Sequence, residues 1–216
     1  MDARAAAFAD RVRRGEPVVG TFVKLAGLEP VDLALRAGLD FVVADGEHSQ
    51  LGPDAVAALV RHAAAVGLPA VVRIPAVDAG LANRYLEAGA AGVQVSSLTT
   101  AAEARALVSA MRYPPAGTRS VSAAQPAAGY GERPLAEYLE AVAASPPLVV
   151  GQIETAATAD PLGEVVAPLD VAFIGTTDLS VDMGVPGRAD DPRVVARIGE
   201  VARAAAAAGG ARLGGW

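Results

Sequence analysis

Two acidic residues lie at the ends of consecutive apolar runs, where they could hold one divalent cation. Glu154 ends the run Leu148–Glu154, and Asp178 follows the run Val171–Gly175. If these runs are neighbouring strands of a parallel sheet, they lie about 4.8 Å apart and both carboxylates can reach one ion. Two carboxylates, completed by water and substrate oxygens, are typical of Mg²⁺ or Mn²⁺ sites. The alternative is that each carboxylate caps the helix that follows it.

A histidine at the end of another run could act as a general base. His48 closes the polar stretch Asp45-Gly46-Glu47-His48, whereas His62 lies in a helical, alanine-rich stretch. Histidine titrates near neutral pH and is the usual general base of enzymes. A neighbouring acid such as Asp45 can fix its tautomer. The alternative is a solvated loop histidine.

An arginine at a third run end could bind an anion. Arg73 ends Val71-Val72-Arg73, so its charge would be buried unless it leaves the sheet or meets an anion. This position favours binding of a carboxylate or an enolate. A structural ion pair with Asp45 or Glu47 is the alternative.

Two further polar residues complete the candidate set. Gln152 precedes Glu154 by two residues, so both face the same side of a strand, where Gln152 could contact a substrate. Lys24, the only lysine, ends the first run and could instead form a Schiff base with a ketone. Together the residues indicate an anion-binding metal site with a base, which suits carbon–carbon cleavage next to a carbonyl.

The elements that must position these residues alternate between apolar runs and alanine-rich helical stretches. Such runs are typical of strands buried on both faces, and the alternation predicts a parallel sheet. The candidate strands are Val18–Lys24, Asp40–Asp45, Ala70–Ile74, Gly92–Ser96, Leu148–Glu154, Val171–Gly175 and one beginning near Ala211. The candidate helices are an N-terminal one within Met1–Arg14, then Pro30–Ala37, Pro53–Val66, Ala79–Ala88, Ala101–Met111, Pro134–Ala144 and Pro192–Ala208.

The placement of the polar residues favours a TIM-type (β/α)8 barrel over a doubly wound sheet. They lie at carboxyl ends of strands, which a barrel gathers on one face. A doubly wound sheet usually carries a Gly-rich phosphate turn, and the sequence contains neither GxGxxG nor GxxxxGK[ST]. Because the seventh strand reaches Trp216, we expect a single barrel domain over residues 1–216 that lacks its last β-α elements. The alternatives are that the chain is truncated, that a partner chain completes the barrel, or that the protein is a reduced member of its family.

Composition narrows the class of protein. The chain has 216 residues, of which 52% are hydrophobic, and this argues against disorder as the main state. A net charge of −6 gives no general attraction for nucleic acid. The absence of cysteine excludes disulfides and thiol nucleophiles. No apolar stretch approaches the roughly 20 residues of a membrane span, and no secretory signal pattern is present. We therefore expect a cytoplasmic protein without a membrane or nucleic-acid partner.

The sequence resembles the HpcH/HpaI aldolase family, the metal-dependent (class II) pyruvate aldolases. Each matching segment is weak alone, but the set is specific and occurs in family order along nearly the whole chain. The segments are Gly20-Thr21-Phe22-Val23-Lys24, Asp45-Gly46-Glu47-His48, Val71-Val72-Arg73, Arg112-Tyr113-Pro114-Pro115-Ala116-Gly117-Thr118-Arg119, Gln152-Ile153-Glu154-Thr155 and Phe173-Ile174-Gly175-Thr176-Thr177-Asp178-Leu179-Ser180.

The resemblance implies a role for each candidate residue. Glu154 and Asp178 would bind the cation, Mg²⁺ or Mn²⁺ with Co²⁺ as a further candidate. Arg73 would bind the keto oxygen and stabilise the enolate. His48, oriented by Asp45, would be the base and would act through a metal-bound water.

Specificity and assembly follow from the same resemblance. Gln152 would contact the substrate, and Thr176 and Thr177 would line it, where the family usually has Pro-Ala. Glu87 matches an acidic residue that supports the histidine of a neighbouring subunit, which implies a homo-oligomer such as a trimer or hexamer.

Three functions remain as hypotheses. The first is a divalent-metal-dependent aldolase that cleaves or forms 4-hydroxy-2-oxo acids, with pyruvate or a related 2-oxo acid and an aldehyde as partners. The second is a citrate-lyase-like acyl-CoA lyase on the same fold. The third is a non-catalytic reduced barrel.

Overall fold

The chain forms one parallel sheet whose strand order follows the sequence. The computed structural model describes residues 3–216. Its seven strands are hydrogen-bonded in the order β1 to β7, and every neighbouring pair is parallel. They are β1 (Gly20–Val23), β2 (Phe41–Asp45), β3 (Ala70–Ile74), β4 (Gly92–Val95), β5 (Leu148–Ile153), β6 (Val171–Ile174) and β7 (Arg212–Gly215). The order shows no reversal, so the doubly wound alternative is wrong.

Helices connect the strands as the alternation predicts. They are α1 (Ala3–Arg13), α2 (Glu29–Arg36), α3 (Pro53–Val66), α4 (Ala79–Ala88), α5 (Ala101–Met111), α6 (Leu135–Ala144), α7 (Leu162–Val166), α8 (Thr176–Asp182) and α9 (Pro192–Ala208). The first two residues of the predicted N-terminal helix lie outside the described residues. The sequence analysis did not predict α7 or α8, because elements this short show no helical periodicity. No helix in residues 3–216 is long and apolar enough to cross a membrane.

Local sequence signals set the limits of several helices. Thr100 and Glu103 form a reciprocal capping box at the start of α5, which satisfies otherwise unpaired backbone N–H groups. Asp78 caps α4 through the backbone N–H of Leu81, at 2.9 Å. Gly89 ends the same helix with a φ of +111°, which a residue with a side chain rarely adopts.

The inner face of the sheet changes from apolar to polar along the strands. Side chains two residues apart share a face, and Val43 and Val71 pack in the inner apolar cluster. Two residues further on, the same faces carry Asp45 and Arg73. The inner face therefore gathers charged groups at the carboxyl ends of the strands.

Helix α1 covers the opposite, amino-terminal end of the sheet. Phe8, Ala9 and Val12 are buried in the inner cluster, and the ring of Phe8 lies 5.2 Å from that of Phe41. Helices α2 to α5 and α7 to α9 cover the outer face and form a second, larger core with the outward strand residues. Helix α6 packs instead in a small separate cluster with Ala128. The sheet is thus buried on both faces, as its apolar runs predict.

The sheet is curled, but its first and last strands are not paired within residues 3–216. Arg212 of β7 donates to the carbonyl oxygen of Arg13 at 2.9 Å. The rings of Phe22 in β1 and Trp216 lie 5.4 Å apart. A cavity of about 720 Å³ lies between these two edges inside the curl. The parallel α/β architecture is confirmed, and the described chain forms an open barrel.

Candidate active site

Six of the nine predicted site residues line a cavity at the carboxyl ends of the strands, and Asp45, Glu87 and Glu154 are outside its lining. The cavity has a volume of about 310 Å³. Its polar lining consists of Lys24, His48, Arg73, Gln152 and the Thr176-Thr177-Asp178 segment. Phe22, Phe173 and Trp216 form its apolar wall toward the inside of the sheet.

Asp45 is the centre of a buried ion pair. Its side chain is fully buried and accepts from Arg73 through Nε at 2.9 Å and Nη2 at 2.5 Å. Burial opposes ionisation, but the hydrogen bonds from Arg73 and from the backbone N–H groups of Glu47 and His48 outweigh it. Together they lower the pKa of Asp45. The carboxylate is therefore a fixed negative charge beneath the cavity.

The sheet register creates this pair. Asp45 and Arg73 lie directly opposite each other on β2 and β3. Phe22 covers the guanidinium, with its ring centre 4.7 Å from Cζ. The contacts with Asp45 do not use Nη1 of Arg73, so the guanidinium can hold Asp45 and still present a donor to the cavity. The predicted structural pair and the predicted anion-binding role are thus compatible.

His48 stands at the rim of the cavity. Its side chain is 55% exposed, and Nε2 lies 3.9 Å from Oε2 of Glu47. Asp45 accepts from the backbone N–H of His48 at 3.1 Å, so it holds the turn on which the imidazole stands. Glu47 itself is held by Ser96, whose hydroxyl donates to it, and by Arg73 at 3.4 Å.

Glu154 is buried and held by hydrogen bonds on both oxygens. The backbone N–H and the hydroxyl of Ser97 each donate to Oε1 at 2.7 Å. Gln152 donates to Oε2, and its own oxygen accepts from Gln94 at 2.6 Å. Ser97 has a φ of +50°, an uncommon conformation for a residue other than glycine. The orientation of this carboxylate is therefore set before any ligand binds.

Gly175 makes room for Glu154 beside the cavity. A Cβ at this position would collide with Oε2 of Glu154 and lie 2.7 Å from Nε2 of Gln152. The same glycine precedes α8, which begins with Thr176. The Thr176 hydroxyl donates to the carbonyl oxygen of Trp216 at 2.7 Å.

Asp178 lies in the first turn of α8 and is exposed to the cavity. Within residues 3–216 no hydrogen bond or ion pair occupies its carboxylate. The predicted cap on the following helix is therefore not the role of Asp178. No group of three or more His, Cys, Asp or Glu residues in the same range could enclose a metal. A pair of carboxylates nevertheless fits Mg²⁺ or Mn²⁺, which keep water and substrate oxygens as their other ligands.

Glu87 lies elsewhere in this subunit. It is on α4, where Asn83 donates to its Oε1 at 3.3 Å, and it does not line the cavity. The sequence analysis missed Ser97 and Trp216 as site residues. The signal available for Ser97 was its position directly after a strand end.

Comparison with known proteins identifies the family of the chain. A model of the HpcH/HpaI aldolase/citrate lyase family matches residues 19–215. The chain belongs to this family. Hydroxypyruvate/pyruvate aldolase of Agrobacterium fabrum is 35% identical over 196 residues, which are 88% of this chain and 72% of that protein. The 4-hydroxy-2-oxo-heptane-1,7-dioate aldolase of Salmonella typhimurium is 35% identical over 194 residues, covering 89% and 73%.

A solved structure extends the family match to the fold. An HpcH/HpaI aldolase/citrate lyase family protein from Burkholderia cenocepacia superposes with a TM-score of 0.86 and 29% identity, over 97% of this chain and 84% of that one. The predicted family is confirmed. The chain is an enzyme of the carbon–carbon lyase class.

Proposed function

We propose that this HpcH/HpaI family enzyme is a divalent-metal-dependent aldolase. It cleaves or forms a 4-hydroxy-2-oxo acid, with pyruvate or a related 2-oxo acid and an aldehyde as the other side of the reaction. The observation that carries this proposal is a cavity that the unpaired Asp178 and Arg73 line, with the oriented carboxylate of Glu154 next to the cavity residues Gly175 and Gln152. The aldolase names of the relatives support the same reaction type.

Glu154 and Asp178 are the residues that would hold the cation. Mg²⁺ or Mn²⁺ fits their oxygen ligands, with Co²⁺ as a further candidate. When bound, the cation supplies Lewis-acid polarisation of the 2-oxo acid oxygens. The hydrogen bonds from Ser97 and Gln152 fix the orientation of Glu154 toward that role.

Arg73 stabilises the enolate that forms when the carbon–carbon bond breaks. Its guanidinium is held by Asp45 and covered by Phe22, so its position is fixed before reaction. A fixed donor aimed at developing negative charge lowers the barrier without reorganisation. Asp45 is thus a positioning residue for Arg73.

His48 accepts the proton of the substrate's 4-hydroxyl group. As the bond between C3 and C4 breaks, its electrons pass to the enolate, the 4-hydroxyl oxygen becomes the aldehyde oxygen, and the imidazole takes the proton. A histidine at a cavity rim can exchange that proton with solvent. Gln152, Thr176 and Thr177 contact the substrate from the cavity wall.

The same proposal covers architecture and assembly. We propose that residues 1–216 form one domain and that its curled sheet is a TIM-type barrel arrangement, with the strand ends as the active face. The enzyme is a homo-oligomer in which Glu87 acts toward the His48 of a neighbouring subunit. Glu87 does not line the cavity of its own chain, which leaves it available for this role.

A direct assay tests the function. Chelator-treated enzyme is given a panel of 4-hydroxy-2-oxo acids, and released pyruvate is measured before and after Mn²⁺ or Mg²⁺ is added. We expect cleavage only with the cation, and loss of at least about 100-fold in Glu154→Gln and Asp178→Asn. The matched control is Glu164→Gln in α7, outside the cavity lining. Activity that survives complete chelation contradicts the metal mechanism.

A further inference from the structure

Lys24 is a cavity side chain to which the proposed reaction assigns no role. It follows β1 directly, and it is the only lysine of the sequence. Its side chain is 48% exposed, and Nζ lies 3.5 Å from Oδ2 of Asp45. This distance is longer than a hydrogen bond.

The carboxylate of Asp45 is fully hydrogen-bonded without the Lys24 ammonium. It already accepts two hydrogen bonds from Arg73 and two from the backbone N–H groups of Glu47 and His48. The Lys24 ammonium is therefore held near Asp45 by charge alone and keeps its three donors for a ligand. A flexible, strongly hydrated ammonium of this kind suits a carboxylate.

The position of Lys24 indicates which part of a substrate its ammonium can bind. It follows β1, whereas Glu154 follows β5 and Asp178 follows β6, so Lys24 comes from a different part of the sheet. Arg73, on β3, lies between them. Lys24 lines the same cavity as Arg73 and Asp178. If the 2-oxo acid end binds at Glu154, Asp178 and Arg73, Lys24 is a second cation that can meet a charged group elsewhere on the substrate.

We infer that Lys24 binds a second carboxylate of the substrate, at the end remote from the 2-oxo group, and so selects dicarboxylic substrates. This inference rests on the proposed function for the orientation of the substrate. Lys24 is thereby a specificity-determining residue that forms no covalent bond with the substrate.

Binding of two matched ligands tests this role without any turnover. 2-Oxoglutarate and 2-oxopentanoate share a five-carbon 2-oxo acid chain and differ in the remote carboxylate. Trp216, the only tryptophan, lines the cavity, so its fluorescence reports binding in the Mn²⁺-loaded enzyme. We expect at least about tenfold tighter binding of 2-oxoglutarate, the usual effect of one charged hydrogen bond.

Variants test whether the preference for 2-oxoglutarate over 2-oxopentanoate depends on Lys24. Lys24→Met removes the charge at similar length and should bring the two affinities within about twofold, while Lys24→Arg should restore most of the preference. Arg105→Met, which removes an exposed charge from the outer helix α5, should leave the preference unchanged. In wild-type enzyme labelled with [ε-¹³C]lysine, the single lysine signal should shift with 2-oxoglutarate and not with 2-oxopentanoate.

Three outcomes overturn the inference: equal affinities in the wild type, a preference that survives Lys24→Met, or no binding of either ligand. Borohydride trapping of a 2-oxo acid on Lys24 also overturns it, because the amine would then be a nucleophile. A Lys24-dependent preference in an enzyme that cleaves no 4-hydroxy-2-oxo acid would leave this binding role standing and refute the proposed function alone.

Discussion

At the scale of residues, the site depends on hydrogen bonds that fix charged groups before a ligand arrives. Glu154 and Asp45 are both buried acids, and each accepts bonds from side chains and from backbone N–H groups. Such outer partners orient metal ligands and substrate-binding groups, and they control affinity from a distance.

Ser97→Ala should weaken Mn²⁺ binding by about tenfold, the lower end of effects seen for outer-shell partners of metal ligands. The change removes the hydroxyl that donates to Glu154 at 2.7 Å and leaves the backbone N–H bond in place. Titration of Mn²⁺ by electron paramagnetic resonance measures the loss. Ser109→Ala, which removes a hydroxyl bonded to Thr118 on the outer side, is the control and should bind Mn²⁺ normally. Equal affinities for all three proteins would contradict this role of Ser97.

Asp45→Asn should lower the free energy of unfolding at pH 7 by about 3–5 kcal/mol, since it leaves the buried Arg73 without a counter-ion. The folded-state pKa of Asp45 is lowered, so its stabilisation is complete above the unfolded pKa of about 3.9 and is lost as pH falls through the folded pKa. Urea unfolding should therefore show a shallower loss of stability below about pH 4 in the variant than in the wild type.

Asp54→Asn is the control for Asp45→Asn. The Asp54 side chain is 96% exposed, and its ion pair with Arg84 lies at the surface. Surface pairs contribute little, so we expect a change below about 1 kcal/mol. If the free energy of unfolding of Asp45→Asn falls with decreasing pH as steeply as that of the wild type, other acidic residues control the acid sensitivity of the fold.

The sequence predicts most of these residues but not their outer partners. Arg73, Gln152 and Asp178 could be found because charged or polar groups at strand ends are easily seen in an apolar sequence. The position of Ser97 near a strand end is visible in the sequence, but its bond to Glu154 is not. That bond depends on a positive φ and on the approach of the loop after β4 to the end of β5. Both are products of tertiary structure.

At the scale of elements, the junction of β6 and α8 brings the second carboxylate to the cavity. Gly175 ends the strand segment, and the helix starts at the next residue, so Asp178 lies in its first turn. The sequence predicts that Asp178 follows a strand end, but α8 is not among the helices that it predicts. Seven residues give too few turns for a periodic pattern, and the helix depends on its packing.

Gly175→Ala should reduce kcat/KM by about 100-fold, because displacement of a catalytic group by about 1 Å costs that much. The new methyl group would collide with Glu154 and Gln152. We expect weaker Mn²⁺ binding as well, with the fold retained by circular dichroism. Gly163→Ala in α7, where a Cβ meets nothing within 4 Å, is the matched control and should leave both measurements unchanged. Full activity in Gly175→Ala would contradict the proposed position of Glu154.

At the scale of the whole molecule, the curled sheet separates a stabilising end from a reacting end. Helix α1 fills the amino-terminal end with apolar side chains, while the carboxyl ends carry the charged cavity. The alternation of runs predicts the strand order and this polarity. It does not predict how the edges of β1 and β7 approach each other, since Phe22 and Trp216 are far apart in sequence.

Phe8→Ala should lower the free energy of unfolding by about 3–5 kcal/mol without changing Mn²⁺ affinity. Phe8 is 4% exposed and packs on Phe41 at the end of the sheet opposite to the site. Leu33→Ala, at a site that is 65% exposed, is the control and should cost less than about 0.5 kcal/mol. Urea unfolding measures the stability, and a separate Mn²⁺ titration measures the affinity for the cation. A large loss of Mn²⁺ affinity in Phe8→Ala would contradict the independence of the amino-terminal end of the sheet from the site at its carboxyl end.

The central claim is that Glu154 and Asp178 hold one divalent cation against a 2-oxo acid. The anomalous difference map of crystals grown with Mn²⁺ and pyruvate tests it most directly. We predict one peak about 2.1 Å from an oxygen of each carboxylate, with pyruvate bound beside it and within reach of Arg73. A Mn²⁺ peak that contacts neither acid, or pyruvate joined covalently to Lys24, would contradict the account.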